Sequence, residues 1–275
     1  MYKILDKERL APTIKKIDVK APLIARSTKP GNFIVLRINE KGERIPLTVA
    51  DKDVEEGTIS IIFQEVGYTT KLLGTLEKGD EIRDIAGPLG EHMDMEGYDR
   101  VVCLGGGSGT ALLYPKVKGF AEKGAEVITI TGARTANLII LEEELKEISS
   151  DLYIATDDGS RGHEGFVTDI LADVLAEEEN IDLVVAIGPV PMMRAVADMT
   201  EPENIETVVS LNSLMIDGTG MCGGCRITVG GETKFTCVDG PAFDGHEVDF
   251  EELMNRLSYY EDEECNCKLE EEGVK

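Results

Sequence analysis

A cysteine pair at metal-ligand spacing lies near the carboxyl end of the chain, in the stretch DGTGMCGGC (residues 217–225). Asp217 precedes Cys222 by four intervening residues, and Cys237 follows Cys225 after eleven. A plant-type iron–sulfur loop has the spacing C-x4-C-x2-C and then a distant fourth cysteine, so Asp217 stands where the first cysteine belongs. The glycines turn the backbone tightly and expose N–H groups to sulfide, which favours an iron–sulfur cluster. A zinc site on the three cysteines and one more ligand is the alternative.

A glycine-rich stretch, GGGSG (residues 105–109), stands between a predicted buried strand and a predicted helix. Glycines at such a position let backbone N–H groups approach a phosphate at the start of the helix. The stretch departs from the Rossmann fingerprint, because Thr110 replaces the third glycine and GAR (residues 132–134) replaces the usual acidic residue after the next strand. Taken alone, it predicts a phosphate loop and a purely structural turn equally.

Two further loops follow later predicted strands, DDGS (residues 157–160) and AIGPVPMM (residues 186–193). Because the carboxyl ends of parallel strands meet at one edge of a sheet, the three loops together predict one nucleotide-binding crevice. For the two methionines the alternative is ordinary core filling. The predicted nucleotide-binding residues are Gly106, Gly107, Ser108, Gly109, Thr110, Arg134, Asp157, Asp158, Gly188, Pro189 and Met192.

Two stretches of the amino-terminal part carry residue types suited to a flavin nucleotide, RIPLT (residues 44–48) and VGYTT (residues 66–70). The guanidinium of Arg44 and the hydroxyl of Thr48 are suited to a phosphate and a flavin edge. VGYTT offers hydroxyls and backbone N–H groups at a predicted helix start, which suits a pyrophosphate. Residue chemistry alone favours the structural interpretations, a surface ion pair and an N-cap threonine.

The elements that must position these residues change character along the chain. Short alternating segments with Gly and Pro turns predict an antiparallel β-barrel over residues 1–97, with one short helix that ends at Gly79. Strands alternating with helices then predict an α/β domain, with a parallel sheet covered on both faces, over residues 98–210. A cluster-binding segment of little regular structure follows over residues 211–246, and an acidic tail with a short helix over 247–275.

The formal net charge of −25 limits the partners of this surface. It excludes nucleic acids and anionic membranes and disfavours direct docking of another acidic protein. Charged residues occupy the place of a signal-peptide core, and no apolar run is long enough to span a bilayer, so we predict a cytoplasmic protein. In that compartment the six cysteines are ligands or free thiols, and we predict free thiols at Cys265 and Cys267.

The order of the motifs resembles that of the ferredoxin–NADP reductase superfamily. The stretches that carry the resemblance are PGNFIVLRI, RIPLT, VGYTT, GDEIRDIAGPLG, GGGSGTALLY, DDGSRGHEGFVT, AIGPVPMM and CGGC…CVDGPAFD, within residues 1–246. More narrowly, the chain is similar to the electron-transfer subunits of dihydroorotate dehydrogenase. It also resembles their close relatives, the small subunits of NADH-dependent ferredoxin:NADP oxidoreductase, also called sulfide dehydrogenase.

This resemblance implies a barrel that binds FAD, a domain that binds NAD(H) and a [2Fe-2S] loop. The residues it implies for FAD are Arg44, Pro46, Leu47, Thr48, Phe63, Gly67, Thr69 and Thr70, with Thr48 at the flavin edge where hydride is transferred. The dihydroorotate dehydrogenase subunits have four cysteines in the loop, whereas an aspartate at the first position resembles the ferredoxin:NADP oxidoreductase subunit. The implied cluster ligands are Asp217, Cys222, Cys225 and Cys237.

The implied activity is hydride exchange between NAD(H) and FAD, followed by single-electron relay through the cluster to a larger flavin and iron–sulfur partner subunit. That heteromeric complex couples NADH, NADPH and ferredoxin by electron bifurcation, and ferredoxin docks on the partner. We expect NAD(H) rather than NADP(H), because only Arg134 and then acidic residues follow the second strand. The alternatives are the electron-transfer subunit of dihydroorotate dehydrogenase, a stand-alone flavin reductase, and a zinc-stabilised nucleotide-binding module without redox function.

Overall fold

The structure is a computed structural model that describes residues 1–260. Cys265, Cys267 and most of the predicted acidic tail lie outside the described residues. Within residues 1–260 no helix is long and apolar enough to cross a membrane.

The amino-terminal part forms a nearly closed antiparallel barrel, as predicted. Its seven strands lie in the order β6-β1-β2-β5-β4-β3-β7. Their bounds are β1 (Tyr2–Ala11), β2 (Ile14–Lys20), β3 (Phe33–Arg37), β4 (Ile45–Asp53), β5 (Thr58–Gln64), β6 (Glu81–Ile82) and β7 (Asp84–Leu89). Alternating β-branched and aliphatic side chains fill the interior, among them Ile17, Ile34, Leu36, Ile59 and Ile61.

Two short helices accompany the barrel, α1 (Pro22–Ser27) and α2 (Tyr68–Thr75). The prediction that the second helix reaches Gly79 is wrong, because Leu76 already has extended backbone. The following residues instead form a turn, in which Asp80 N–H donates to the Glu77 carbonyl at 3.0 Å. The strand β1 and the helix α1 were not predicted from the sequence.

The second part is a parallel sheet with helices on both faces, again as predicted. Strand order is β11-β10-β9-β8-β12-β13-β16, and every pair is parallel except β13 with β16. The strands are β8 (Arg100–Gly106), β9 (Glu126–Ala133), β10 (Asp151–Thr156), β11 (His163–Glu164), β12 (Leu183–Ile187), β13 (Glu206–Ser210) and β16 (Ala242–Asp244). The helices are α3 (Gly109–Lys123), α4 (Glu142–Ile148), α5 (Val167–Glu177) and α6 (Val190–Thr200).

The strands of this sheet are buried on both sides, which explains their continuous apolar sequences. On β8, Val101 and Cys103 join the core formed with α3 and α4, whereas Val102 and Leu104 join the core formed with α5 and α6. A smaller cluster joins the two parts of the molecule, since Ala111 and Ile140 of the α/β part pack against barrel residues. Those barrel residues are Ala11, Ile14, Ala50 and Ile62.

The carboxyl-terminal segment has more regular structure than its glycine-rich sequence predicts. It contains a hairpin of β14 (Arg226–Val229) and β15 (Glu232–Phe235), followed by β16 and α7 (Phe250–Leu257). Because β16 pairs with β13, the segment is an extension of the parallel sheet at its edge. Residues 211–225 contain no helix or strand, so the sequence-based expectation of little regular structure over residues 211–246 misses only the three short strands β14, β15 and β16.

Candidate functional site

The glycine loops meet at the point where the strand order of the sheet reverses. In the sheet, β8 lies between β9, which follows it in the chain, and β12. Loops that follow β8 and β12 therefore face each other, and a Cβ placed on Gly188 would lie 3.2 Å from the backbone nitrogen of Gly106. In open α/β sheets this crevice is where ligands bind.

The backbone of the first loop requires its glycines. Gly107 has φ of +59°, and its N–H donates to the carbonyl of Gly132 at 2.7 Å. A Cβ on Gly109 would lie 2.4 Å from the backbone oxygen of Ile187, so α3 begins in close contact with β12. Ser108 immediately precedes α3, at the end that offers unpaired N–H groups to an anion.

Thr110 supports this loop from beneath. It is 1% exposed, and its hydroxyl lies 2.7 Å from the hydroxyl of Thr131 on β9. The hydrogen bond ties the start of α3 to the sheet. Thr110 is thus placed to hold the loop, and its predicted contact with nucleotide remains a prediction.

The loop after β12 supplies an apolar cover for the crevice. Pro189 precedes α6, and a Cβ on Gly106 would lie 2.8 Å from Met192 Sδ and 3.1 Å from Pro189 Cδ. Met193, in contrast, is fully buried in the core. One methionine of the pair therefore lies at the crevice and the other fills the core.

Arg134 and the DDGS loop lie side by side at the far end of the crevice. Asp158 N–H donates to the Arg134 carbonyl at 3.4 Å, and Asp157 N–H to the Ala133 carbonyl at 3.2 Å. Hydrogen bonds from the Ser160 hydroxyl and N–H lower the pKa of Asp158, so its carboxylate is ionised at neutral pH. Two exposed acidic residues are thus hydrogen-bonded through their backbones to the end of β9 and to Arg134.

On the barrel, the predicted flavin residues lie on β4 opposite β3. Thr48 pairs with Phe33, Leu47 with Ile34, and Pro46 with Val35. All three β4 residues are half-buried, and Arg44 is exposed just before the strand. Phe63 is only 3% exposed in the barrel interior, and its predicted flavin contact remains a prediction.

The start of α2 already holds an acidic oxygen. The Thr69 hydroxyl donates to Glu43 Oε2 at 2.8 Å, while the Thr70 hydroxyl accepts the N–H of Gly67 at 3.1 Å. The N–H groups of the first turn of α2 suit an anion such as the pyrophosphate of FAD, which would compete with the Glu43 carboxylate for the Thr69 hydroxyl. Glu43 was not identified from the sequence, although it adjoins Arg44.

In the cysteine segment, two cysteines form a buried pair. Cys225 and Cys237 are 1% and 2% exposed, and their Sγ atoms are 3.2 Å apart. Burial and the hydrogen bond with Cys225 raise the pKa of Cys237 to about 12. A bound cation would therefore have to displace its proton at neutral pH. Cys222 is exposed.

Asp217 pairs with the third cysteine. One carboxylate oxygen accepts the N–H of Thr219 and the other the N–H of Cys222, both at 2.8 Å. The Thr219 hydrogen bond, with those from Cys222, lowers the pKa of Asp217. The loop that makes these contacts contains Gly218, Gly220 and Gly223, with φ of +74°, +82° and +69°. Asp217 is thus an ionised acceptor beside Cys222.

The donors therefore form two pairs, Asp217 with Cys222 and Cys225 with Cys237. Within residues 1–260 no group of three or more His, Cys, Asp or Glu converges on one metal position. An iron–sulfur cluster with two irons takes two terminal ligands on each iron, so two pairs of donors fit such a group.

The cysteine segment packs directly on the barrel strand β3. Cys225 and Cys237 share a buried cluster with Phe33 and Val35, and a Cβ on Gly218 would lie 2.7 Å from Val35 Cγ2. These are the residues that pair with the predicted flavin residues of β4. The local sequence of β3 carries no signal of this contact, because its residues are those of any buried strand.

Comparison with known proteins agrees with this arrangement. Residues 212–249 match the iron–sulfur cluster binding domain of dihydroorotate dehydrogenase B, and residues 103–198 match the oxidoreductase NAD-binding domain. A dihydroorotate dehydrogenase B (NAD(+)) electron transfer subunit homolog of Thermotoga maritima is 45% identical, over 96% of this chain and 93% of that protein. The electron transfer subunit of Fusobacterium nucleatum is 31% identical, over 88% and 95%.

Among solved structures, one from work on flavin-based electron bifurcation by NADH-dependent reduced ferredoxin–NADP oxidoreductase matches the whole chain. It is 42% identical, with a TM-score of 0.93, over 100% of this chain and 98% of the other. A cytochrome P450 reductase of Amycolatopsis shares the fold alone, at 20% identity and a TM-score of 0.63 over 74% of this chain and 66% of that one.

Proposed function

Because this chain belongs to the family of dihydroorotate dehydrogenase B electron-transfer subunits and their homologues, we propose the following division of work. The chain exchanges hydride with NAD(H) at an FAD held by the barrel. It then passes single electrons, through a [2Fe-2S] cluster, to a larger flavin and iron–sulfur partner subunit. The reaction of the whole complex is that of an electron-bifurcating NADH-dependent ferredoxin:NADP oxidoreductase.

The observation that carries this proposal is the pairing of Asp217 with Cys222 beside the pair Cys225 and Cys237. The carboxylate stands at the first ligand position and is ionised, which suits an iron ligand. The similar structure from work on electron bifurcation by an NADH-dependent ferredoxin–NADP oxidoreductase supports the assignment of the whole complex.

The residues of this chain hold and separate the reacting groups. FAD, when bound, accepts hydride from NADH and releases electrons singly, and the cluster carries them singly. Thr48 would orient the flavin edge, the start of α2 would bind the pyrophosphate, and the loop after β8 would bind the phosphates of NADH. Burial of Cys225 and Cys237 against β3 excludes water between the barrel and the cluster ligands.

Two charge arguments support the choice of nucleotide and of docking arrangement. Asp157 and Asp158 beside Arg134 disfavour the 2′-phosphate of NADPH, so NAD(H) is the substrate of this chain. The formal net charge of −25 would repel an acidic ferredoxin, which would therefore bind the partner subunit.

The surface around the exposed ligand supports the presence of a partner subunit. Beside the exposed Cys222, Met221 is 88% exposed, Ile216 59% and Val238 44%. Exposed apolar side chains grouped in this way mark a protein contact. Relatives of this chain are named as subunits, which agrees with such a contact.

The proposal is tested on the anaerobically purified chain, separated from its partner for flavin, metal and spectroscopic analysis and together with the partner for turnover. We expect one flavin on this subunit, about two irons and two acid-labile sulfides, and a rhombic electron paramagnetic resonance signal after reduction. The complex should reduce ferredoxin and NAD(+) together when given NADPH. Oxidation of dihydroorotate instead would identify a dihydroorotate dehydrogenase subunit. Zinc without flavin or sulfide would exclude any redox function.

A further inference from the structure

Two lysines of the first β-hairpin converge on one carbonyl of helix α2. Lys7 Nζ on β1 and Lys15 Nζ on β2 each donate to the Gly74 carbonyl oxygen at 2.8 Å. The side chains are only 15% and 18% exposed. Lys7 and Lys15 lie 67 and 59 residues before Gly74 in the sequence, so the fold must bring both ammonium groups to this carbonyl.

The reason lies in where α2 ends. The helix stops at Thr75, so Gly74 is among the last residues whose carbonyls lack an intrahelical partner. Each lysine fills one lone pair of that oxygen, and each is neutralised by a carboxylate at 2.7 Å, Glu77 for Lys7 and Glu65 for Lys15. Because the charges cancel, the contacts fix position and add little field at the other end of the helix.

Lys15 also contacts the segment that leads into α2, through its ion pair with Glu65. Glu65 lies just before the loop that leads into the helix at Gly67. A Cβ on Gly74 would lie 1.8 Å from Glu65 Oε1 and 3.0 Å from Lys15 Nζ, so the carboxylate occupies space that only glycine leaves open. One ammonium group thereby ties both ends of α2 to strand β2.

We propose that Lys7 and Lys15 are positioning residues for FAD. They hold α2 on the β1–β2 hairpin, so that its first turn, with Thr69 and Thr70, meets the diphosphate in a fixed place. This inference rests on the proposed function, which assigns the start of α2 to the pyrophosphate. It assigns the lysines no contact with flavin, since they act at the opposite end of the helix.

The test compares two flavins that differ in the group that α2 would contact. FAD contains the diphosphate and riboflavin does not. Full-length chain is stripped of flavin, and the dissociation constants of both flavins are measured by fluorescence quenching. The variants are Lys15→Met, Lys7→Met with Lys15→Met, and Lys15→Arg. The control is Lys78→Met, whose wild-type ammonium makes an exposed ion pair with Asp6 at 3.4 Å.

In the double variant we expect FAD to bind about tenfold more weakly, the cost of one charge-assisted hydrogen bond, with riboflavin binding unchanged. Lys15→Arg should restore most of the FAD affinity, and Lys78→Met should match the wild type. Equal losses for both flavins, or unchanged FAD binding, would overturn the inference while leaving the proposed function intact. A wild-type chain that binds neither flavin would reject the proposed function, and this inference with it.

Discussion

The Asp217 carboxylate accepts the backbone N–H of Cys222 at 2.8 Å and so joins the first predicted ligand position to the second. Cys225 and Cys237 form the other pair, with Sγ atoms 3.2 Å apart. The first pair lies in one glycine-rich loop, which contacts strand β3 at Gly218, and the second pair flanks the β14–β15 hairpin and packs on β3.

Replacing Asp217 should change the metal centre itself. Asp217→Ala is expected to weaken iron binding by at least about tenfold, because an iron ligand is lost. Asp217→Cys should retain two irons but give a shifted paramagnetic resonance spectrum, since thiolate replaces oxygen. Iron, sulfide and the reduced spectrum are measured for each variant.

The matched control for this experiment is Asp239→Ala. Asp239 also accepts a backbone N–H in the same segment, that of Phe235 at 2.6 Å, but is no predicted ligand. The Asp239→Ala variant should retain the wild-type paramagnetic resonance spectrum. Identical spectra for the wild type and Asp217→Cys would show that the carboxylate is not bound to iron.

Adding a methyl group should reduce stability at one glycine of the nucleotide loop and weaken NADH binding at another. Gly109→Ala places Cβ 2.4 Å from a backbone oxygen of β12, so we expect a loss of about 2 kcal/mol in the free energy of unfolding. Gly106→Ala meets the flexible Met192 Sδ at 2.8 Å, so stability should change little while KM for NADH rises about tenfold.

The double variant Gly106→Ala with Met192→Ala checks this explanation. Truncating the methionine makes room for the new methyl group, so part of the NADH affinity should return. Steady-state kinetics and urea unfolding are measured on all variants. A Gly106→Ala variant with unchanged KM would remove Gly106 from the nucleotide site.

Nucleotide preference should depend on Asp158. Its pKa is lowered by Ser160, so it is a full negative charge next to the Arg134 backbone at neutral pH. Asp158→Asn keeps an acceptor for Ser160 and removes the charge. We expect the ratio of kcat/KM for NADH over NADPH to fall by about fivefold.

The control, Glu179→Gln, removes one charge at the amino-terminal ends of the strands, where the Glu179 backbone carbonyl accepts a hydrogen bond from Arg100 at the start of β8. It should leave the nucleotide ratio unchanged. Equal effects of the two variants would mean that net charge, rather than the DDGS loop, sets the preference.

Lys116 offers a test of stability against pH. It is 1% exposed, and within the described residues its amine has one hydrogen bond, to the Leu112 carbonyl at 3.5 Å. Burial lowers the pKa of Lys116 to about 8 from 10.5. Below pH 8 the buried charge therefore costs stability. Between about pH 8 and 10.5 the unfolded state binds the extra proton, so this contribution to stability rises with pH.

Lys116→Met should therefore stabilise the chain at pH 7 by on the order of 2 kcal/mol, and the advantage should shrink from pH 8 to 10.5. Denaturant unfolding across this range measures it. Lys118→Met is the control, because Lys118 forms an ion pair with Asp51 at 2.9 Å and should give no stabilisation. A destabilised Lys116→Met variant would mean that the buried amine stabilises the fold.

Much of the fold follows from local sequence patterns. Alternating apolar residues indicated the barrel, and strand–helix alternation after Asp99 indicated the parallel sheet, because residue spacing alone decides which face of an element is apolar. Local spacing also identified the cysteine loop, since its ligands come from one short stretch and one later residue. The same patterns failed for β1, where charged residues occupy the outer face, and for the short strands among the glycines after residue 211.

Local patterns indicate most of the elements and the residue types that could bind phosphate, flavin and iron. Which of those residues come into contact depends on the packing of the elements. Phe33 lies opposite Thr48 and beneath the cysteine segment, Gly106 faces Gly188 across the reversal of strand order, and Lys7 and Lys15 share the Gly74 carbonyl. These contacts join residues far apart in the chain. Strand order and core packing set them, and no local spacing encodes either.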